Sequence, residues 1–220
     1  MANNLRVLNH PLVNAQLSKL RDVSTPAKEF REGVHNISLF LGYEASRGLE
    51  ETTFEAKSPV APFVGSVVKP RIGLTPILRA GLGMAEALVS WSTVTISAPV
   101  YHLGIYREKV TLQPVEYYSK LPPSPPIDNV LLLDPLIATG GTVCAALSML
   151  VDWGIPIKNI KLLAVLASQE GLKHIQHEYP DLELWVAGVD DTLTEDGIIS
   201  PGLGDSGDRL FNTLTNAQKP

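Results

Sequence analysis

Two apolar runs limit what this chain can fold into more than any other feature of it. Residues 130–133 read VLLL and residues 160–167 read IKLLAVLA, with almost no polar alternation. A strand with one face in water alternates apolar and polar side chains. A strand without alternation is covered on both faces, and the usual cover is the helix that joins one parallel strand to the next. The flanking sequence supplies such helices. Thr25 as an N-cap and Pro26 in the first helical position open a stretch in which Phe30, Val34, Ile37, Leu41 and Ala45 recur at helical spacing. Strands are expected at 72–77, 99–106, 130–133, 160–167 and 184–189, and helices at 82–91, 142–153 and 170–178, with Gly154 stopping the helix before it. The expectation is an α/β fold with a central parallel sheet flanked by helices. No repeat, low-complexity tract or charge block divides the chain, so residues 1–220 read as a single domain. Two stretches break the rhythm: residues 108–128 carry five prolines and a Tyr pair, and the segment from Asp196 is rich in glycine. Both are candidate lids or hoods.

Composition narrows the partners. Lys and Arg number 18 against 23 Asp and Glu, a formal charge of −5, so no broad cationic surface for nucleic acid is expected. Any anionic ligand must be met locally. A single cysteine, Cys144, excludes an internal disulfide framework and a cysteine-based zinc site, and suits a reducing compartment. The opening residues show neither a basic n-region nor an apolar h-region. The longest uncharged run, 87–106, carries five Ser or Thr with Pro99, His102 and Gly104, and reads as helix, loop and strand rather than as a membrane span. A cytoplasmic protein with no membrane partner is expected.

The chemistry concentrates in one loop. The strand at 130–133 runs into Asp134, Pro135, Leu136, Ile137, Ala138, Thr139, Gly140, Gly141 and Thr142, then directly into an amphipathic helix. A strand, a glycine-bearing loop and a helix N-terminus gather backbone N–H groups and the positive end of a helix dipole at one point, where glycines leave room for a phosphate. Thr139 and Thr142 add hydroxyls. No Lys precedes Thr142 and the first glycine is not spaced for a nucleoside-triphosphate loop. Asp134, at the carboxyl end of its strand, stands where open α/β sheets place ligand-contacting groups, and a carboxylate beside a phosphate cradle suits ribose hydroxyls. A Gly-Gly turn that only joins strand to helix accounts for the same residues, so the loop alone leaves both readings open.

The segment DPLIATGGT resembles the phosphoribosyl pyrophosphate (PRPP) loop of uracil phosphoribosyltransferases, and the resemblance runs along nearly the whole chain. It takes in HPLV from His10, FREGVHNISLFLGYEASRGLEE from Phe30, TPILRAGLGM from Thr75, GIYREKVTLQPVEYYSKLP from Gly104 and IISPGLGDSGDRLFNT from Ile198. Separated blocks in the right order are more specific than any one loop. The resemblance implies a type I phosphoribosyltransferase-like fold, with a uracil-binding hood at about 192–213 and a flexible arm at about 107–128. It implies transfer of ribosyl phosphate from PRPP to N1 of uracil, giving UMP and diphosphate in pyrimidine salvage. PRPP would be held by Arg79, Arg107, the loop residues from Asp134 to Thr142, and Asp205; uracil would be held by Ile199, Gly204, Asp205 and Ser206. Arg107, Asp134 and Asp205 form the implied catalytic set. The resemblance also points to self-association as a dimer or tetramer and to GTP as an effector.

These assignments make physical sense residue by residue. Arg79 on a turn after a strand can offer two N–H groups to pyrophosphate oxygens, and Arg107 at the root of the arm could close over the leaving group. Exposed amides in a Gly-rich loop match the acceptor, donor and acceptor edge of uracil, which cytosine does not present. The chain departs from the pattern at Ser206, where Ala is usual. Pro135 stands where other phosphoribosyltransferases carry a second acid, so Mg2+ is expected to arrive on PRPP rather than in a site built by the protein.

Other features read plainly. Gly202 to Gly207 matches G-x-G-x-x-G, yet no strand leads into it, and GLGMAE from Gly81 lacks an acid about 20 positions on, so a nicotinamide cofactor is rejected. His174 and His177 read as a solvated helix face, Cys144 as a packed thiol, and Asp190 and Asp191 as capping or solvated. A sensor that binds PRPP or UMP without turnover, and an enzyme of the same fold acting on another base, are the rival readings.

Overall fold

The computed structural model describes residues 4–95, 98–107 and 114–214, apart from the side chains of 91–95, 107 and 114. In chain order the elements are β1 (Leu5–Val7), α1 (Pro11–Arg21), α2 (Ala27–Ala45), β2 (Glu51–Lys57), β3 (Pro62–Val68), β4 (Ile72–Leu78) and α3 (Leu82–Thr95). They continue with β5 (Leu103–Arg107), β6 (Pro114–Ser119), β7 (Asn129–Leu133), β8 (Leu136–Ile137), α4 (Gly141–Trp153), β9 (Ile160–Ser168) and α5 (Gln169–Glu178). The last are β10 (Glu183–Asp190), β11 (Thr192–Leu193), β12 (Ile199–Ser200) and α6 (Ser206–Phe211). The main sheet runs β1-β10-β9-β7-β4-β5-β6, with β8 paired to the carboxyl end of β9. Its pairings are parallel except that of β6 with β5.

The uninterrupted apolar runs have a simple origin. Along β7, Leu131 and Leu133 pack into the layer of α1, α2 and α3, while Val130 and Leu132 pack into the layer of α4 and α5. β9 divides in the same way, with Leu163 and Val165 on one side and Leu162 and Ala164 on the other. The first layer is completed by Leu17, Phe30, Val34, Ile37, Met84 and Leu88, the second by Val143, Leu147, Leu150, Leu172 and Ile175. Each such side chain contributes about 1.5–3 kcal/mol by leaving water. Gly154 ends α4 in the left-handed region at φ 113°, as its sequence position predicts.

Some boundaries shift. The helix expected from Thr25 begins one residue later, with Pro26 as N-cap; the Thr25 hydroxyl donates instead to the Lys19 carbonyl at 2.6 Å, tying the helix to α1. The strand expected from residue 99 starts at Leu103, and Val100 makes only an isolated bridge to Leu74. The hairpin of β2 and β3 was not anticipated. It pairs antiparallel apart from the main sheet, exposes both faces and is braced by Phe54 edge-on to Phe63 at 6.4 Å, so it lacks the one-sided burial that makes a strand legible. Within the expected arm, β6 extends the sheet beside β5, and the Trp153 indole N–H donates to the Pro122 carbonyl at 2.7 Å. Residues 108–113 of that arm lie outside the described residues. Among the described residues no helix is long and apolar enough to cross a membrane.

Candidate active site

Strands β4, β5, β7, β9 and β10 run parallel, so their carboxyl ends lie along one edge of the sheet. From that edge α3 leaves β4 to cover one face, and α4, following β7, covers the other. Between β4 and β7 the connections therefore part in opposite directions, which is where open α/β sheets form a ligand crevice. Arg79 directly follows β4, Asp134 directly follows β7, and Arg107 closes β5 at the same edge. The Arg107 side chain lies outside the described residues.

The loop after β7 is held from below. The Asp134 N–H donates to the Leu163 carbonyl at 3.2 Å, and the Pro135 carbonyl accepts from the N–H groups of Val165 and Leu166 at 3.1 and 3.0 Å. β8 then pairs Leu136 and Ile137 with Leu166 and Ala167. The Ser168 hydroxyl, which caps α5 by accepting the Gly171 N–H at 2.8 Å, donates to the Ala138 carbonyl. His174 Nδ1 lies 2.7 Å from the Thr139 carbonyl. His174 is therefore not merely part of a solvated helix face, although its ring is exposed; no local pattern shows that α5 abuts this loop. Gly140 caps α4 at φ 82°, with the Gly171 carbonyl 2.9 Å from where a Cβ would stand, so backbone conformation and space both call for glycine. A Cβ on Gly141 would meet the Thr139 hydroxyl at 4.0 Å, so this position is not tightly packed. An α-helix has no intrahelical partner for its first N–H groups, the feature that lets a helix start receive an anion, and Thr142 stands in that first turn of α4.

Asp134 is half-buried, and desolvation pushes its carboxyl up to about 7, opposed only by the Leu136 N–H. Near neutral pH this group is shared between its two forms. A cation or ribose hydroxyls beside it would draw it to the carboxylate.

The turn after β4 presses against the same loop. A Cβ on Gly81 would stand 2.6 Å from the Leu133 carbonyl, so this glycine lets the Arg79 turn approach the residue before Asp134. The Leu78–Arg79 peptide is cis. The Arg79 guanidinium reaches the C-terminal segment: Nη2 donates to Asp208 Oδ1 at 3.1 Å, Nη1 donates to the Thr213 hydroxyl at 3.4 Å, and the Phe211 ring lies 5.9 Å away. Asp205 caps α6 by accepting the Asp208 N–H at 2.9 Å. Gly207 lies between the two acids' neighbours, with Asp205 Oδ1 3.2 Å and Arg79 Nη2 3.5 Å from its absent Cβ. Gly204 and Asp205 are exposed, whereas Ile199 and Ser206 are buried.

Three arginines to which the sequence gives no role fix this segment to the body. Arg21 makes a bidentate pair with Asp190 at 2.7 and 2.6 Å and donates to the Gly202 carbonyl at 2.8 Å, while Asp190 accepts the Gly202 N–H at 2.9 Å. Asp190 is therefore buried and paired, not solvated. Arg209 donates to the carbonyls of Leu20, Leu203 and Asp22 and stacks over Phe30 at 4.2 Å. Arg31 donates to the Leu210 carbonyl at 2.7 Å. Cys144 packs against the second layer, and burial pushes its thiol up to about 11, consistent with a packed rather than reactive sulfur.

The family model described as uracil phosphoribosyltransferase matches residues 7–213. The chain belongs to the uracil phosphoribosyltransferase family. It is 45% identical over 207 residues to the uracil phosphoribosyltransferase of Roseiflexus sp. (strain RS-1), covering 94% of this chain and 97% of that one. The uracil phosphoribosyltransferase of Desulfitobacterium hafniense (strain DSM 10664 / DCB-2) is 43% identical over 210 residues, 95% and 98% of the two chains. Among solved structures, the AQ2163 protein of Aquifex aeolicus superposes with a TM-score of 0.85 at 34% identity, over 94% of this chain and 97% of its own. The APRTase of Giardia lamblia, complexed with 9-deazaadenine, superposes at 0.52 over 73% and 81% with 14% identity, a likeness of fold alone. The turn after β4, the loop after β7 and the anchored C-terminal segment all lie within the residues that the family model matches.

Proposed function

We propose that this chain transfers the ribosyl 5-phosphate group of PRPP to N1 of uracil, releasing diphosphate and UMP. The observation that carries the reading is the convergence, on the β4–β7 crevice, of a phosphate-shaped loop, an arginine turn and an anchored Gly-rich segment. Ala138 to Thr142 would cradle the 5-phosphate at the start of α4, with Pro135, Leu136 and Ile137 fixing the loop to β9. Asp134 would accept the ribose hydroxyls. Arg79 and Arg107 would meet the departing pyrophosphate. Ile199, Gly204, Asp205 and Ser206 would hold uracil, with Asp205 also facing the ribosyl carbon as it gains positive charge. The residues need only position and stabilise charge.

Phosphoribosyltransferases generally use Mg2+, which neutralises pyrophosphate oxygens as they take up charge. Among the described residues no three His, Cys, Asp or Glu side chains cluster, and Pro135 follows Asp134, so the donor set fits an ion carried by PRPP with Asp134 nearby rather than a cage built by the protein. Self-association is supported by the β2–β3 hairpin, which leaves Phe54, Phe63 and Val64 exposed.

A pyrophosphate-release assay with PRPP, Mg2+ and a panel of uracil, cytosine, hypoxanthine, guanine, adenine and orotate tests the reading. Release with uracil alone is expected. Release with another base would overturn the role given to residues 199–206, and PRPP binding without release would make the chain a sensor.

A further inference from the structure

We infer that Asp208 is a positioning residue for Arg79, tying the pyrophosphate turn after β4 to the segment that carries the uracil contacts. The inference rests on the role proposed for Arg79. It begins with a division of labour inside α6. Asp205 already caps this helix through the Asp208 N–H at 2.9 Å, so the Asp208 carboxylate is not needed for capping. Its Oδ1 instead accepts two bonds, from the Thr213 hydroxyl at 2.6 Å and from Arg79 Nη2 at 3.1 Å. These partners hold the Asp208 carboxyl below the usual carboxylate range, the Thr213 hydroxyl foremost.

Thr213 completes a small frame. Its N–H donates to the Asp208 carbonyl at 3.0 Å, past Asn212 in the left-handed region, which brings its hydroxyl between the carboxylate and Arg79 Nη1. Phe211 supplies a flat surface 5.9 Å from the guanidinium carbon. The acid is largely covered, its side chain 22% exposed, while the Arg79 side chain is 54% exposed. One edge of the guanidinium is therefore held, and among the described residues its remaining donors have no partner. An ion pair this open to water is weak. Weakness suits the role: it biases a long, flexible side chain toward one orientation without withholding it from a pyrophosphate that carries several charges. The segment itself is anchored by Arg21, Arg31 and Arg209, so the Asp208 pair acts on the orientation of the Arg79 side chain and not on the place of the loop.

Calorimetric titration of the full chain with PRPP and Mg2+ tests this without turnover. Asp208→Asn should weaken PRPP about two- to fivefold. Asp208→Glu should recover part of the loss, and Thr213→Val should move affinity the same way. In an Arg79→Ala background, Asp208→Asn should change PRPP affinity by less than about 1.5-fold, because the acid acts through the arginine. The Asp205 cap is untouched, so Asp208→Asn should melt with the wild type. Unchanged affinity in both Asp208→Asn and Thr213→Val would overturn the inference. So would an equal loss in both backgrounds, which marks a structural effect. A chain that bound PRPP but released no pyrophosphate with any base would overturn the activity reading alone, and the two backgrounds would still decide the role of Asp208.

Discussion

Replacing Asp134 with Asn should disable the enzyme and stabilise it at the same time. The carboxyl titrates near 7 in the folded chain because burial penalises its charged form, against about 3.8 when exposed. A raised acid pKa means that the folded state holds the proton more tightly than the unfolded state. The stability tied to this group is complete below pH 4, is lost as pH rises toward and through 7, and is flat above that. The full difference corresponds to about 4 kcal/mol, and partial exposure reduces it to about 2 kcal/mol. An asparagine carries no charge and can still accept the Leu136 N–H. Asp134→Asn should therefore melt about 4–8 °C above the wild type at pH 8, with the gap closing toward pH 4. Differential scanning calorimetry at pH 4, 6 and 8 reads this directly, beside a turnover assay in which the same variant is severely impaired. A variant no more stable than wild type at pH 8, or a gap independent of pH, would show that burial does not penalise the charged carboxyl.

Arg209→Ala should cost about 3 kcal/mol, since it strips the carbonyls of Leu20, Leu203 and Asp22 of their donor and uncovers Phe30; a urea midpoint within error of the wild type would show that the C-terminal segment is anchored elsewhere. Gly171→Ala would drive a Cβ into the Ala138 carbonyl, a backbone atom that cannot swing aside, so PRPP affinity should fall about tenfold or more with the circular dichroism spectrum retained; wild-type affinity would mean the loop does not need its present seat on α5. Arg107→Ala should lower turnover about a hundredfold with an unchanged unfolding curve; near wild-type turnover would remove Arg107 from the mechanism.

What the sequence made legible follows from what burial writes into it. Leu131 and Leu132 point to opposite layers, so the apolar run at 130–133 could only mean a strand covered twice. Gly154 and the DPLIATGGT segment are local signals, and they mark a helix end and a loop where the structure has them. The hairpin of β2 and β3 left no such trace because neither of its faces is buried. Arg21, Arg31 and Arg209 were missed for another reason. Their partners are mostly backbone carbonyls distant in the chain, as when Arg209 meets Leu20, and a carbonyl has no sequence identity to recognise. Asp190 looked solvated because its partner, Arg21, is 169 residues away. His174 likewise meets a carbonyl, that of Thr139, across a contact only the packing of α5 reveals.

A crystal structure grown with UMP tests the central claim most directly. The account predicts the phosphate on the backbone amides at the start of α4, between Thr139 and Thr142, the ribose hydroxyls on Asp134, and the base against Ile199 and residues 204–206. A phosphate bound away from this loop, for example in the groove by Arg6, His10, Tyr43 and Trp185 between β1 and α2, would contradict it.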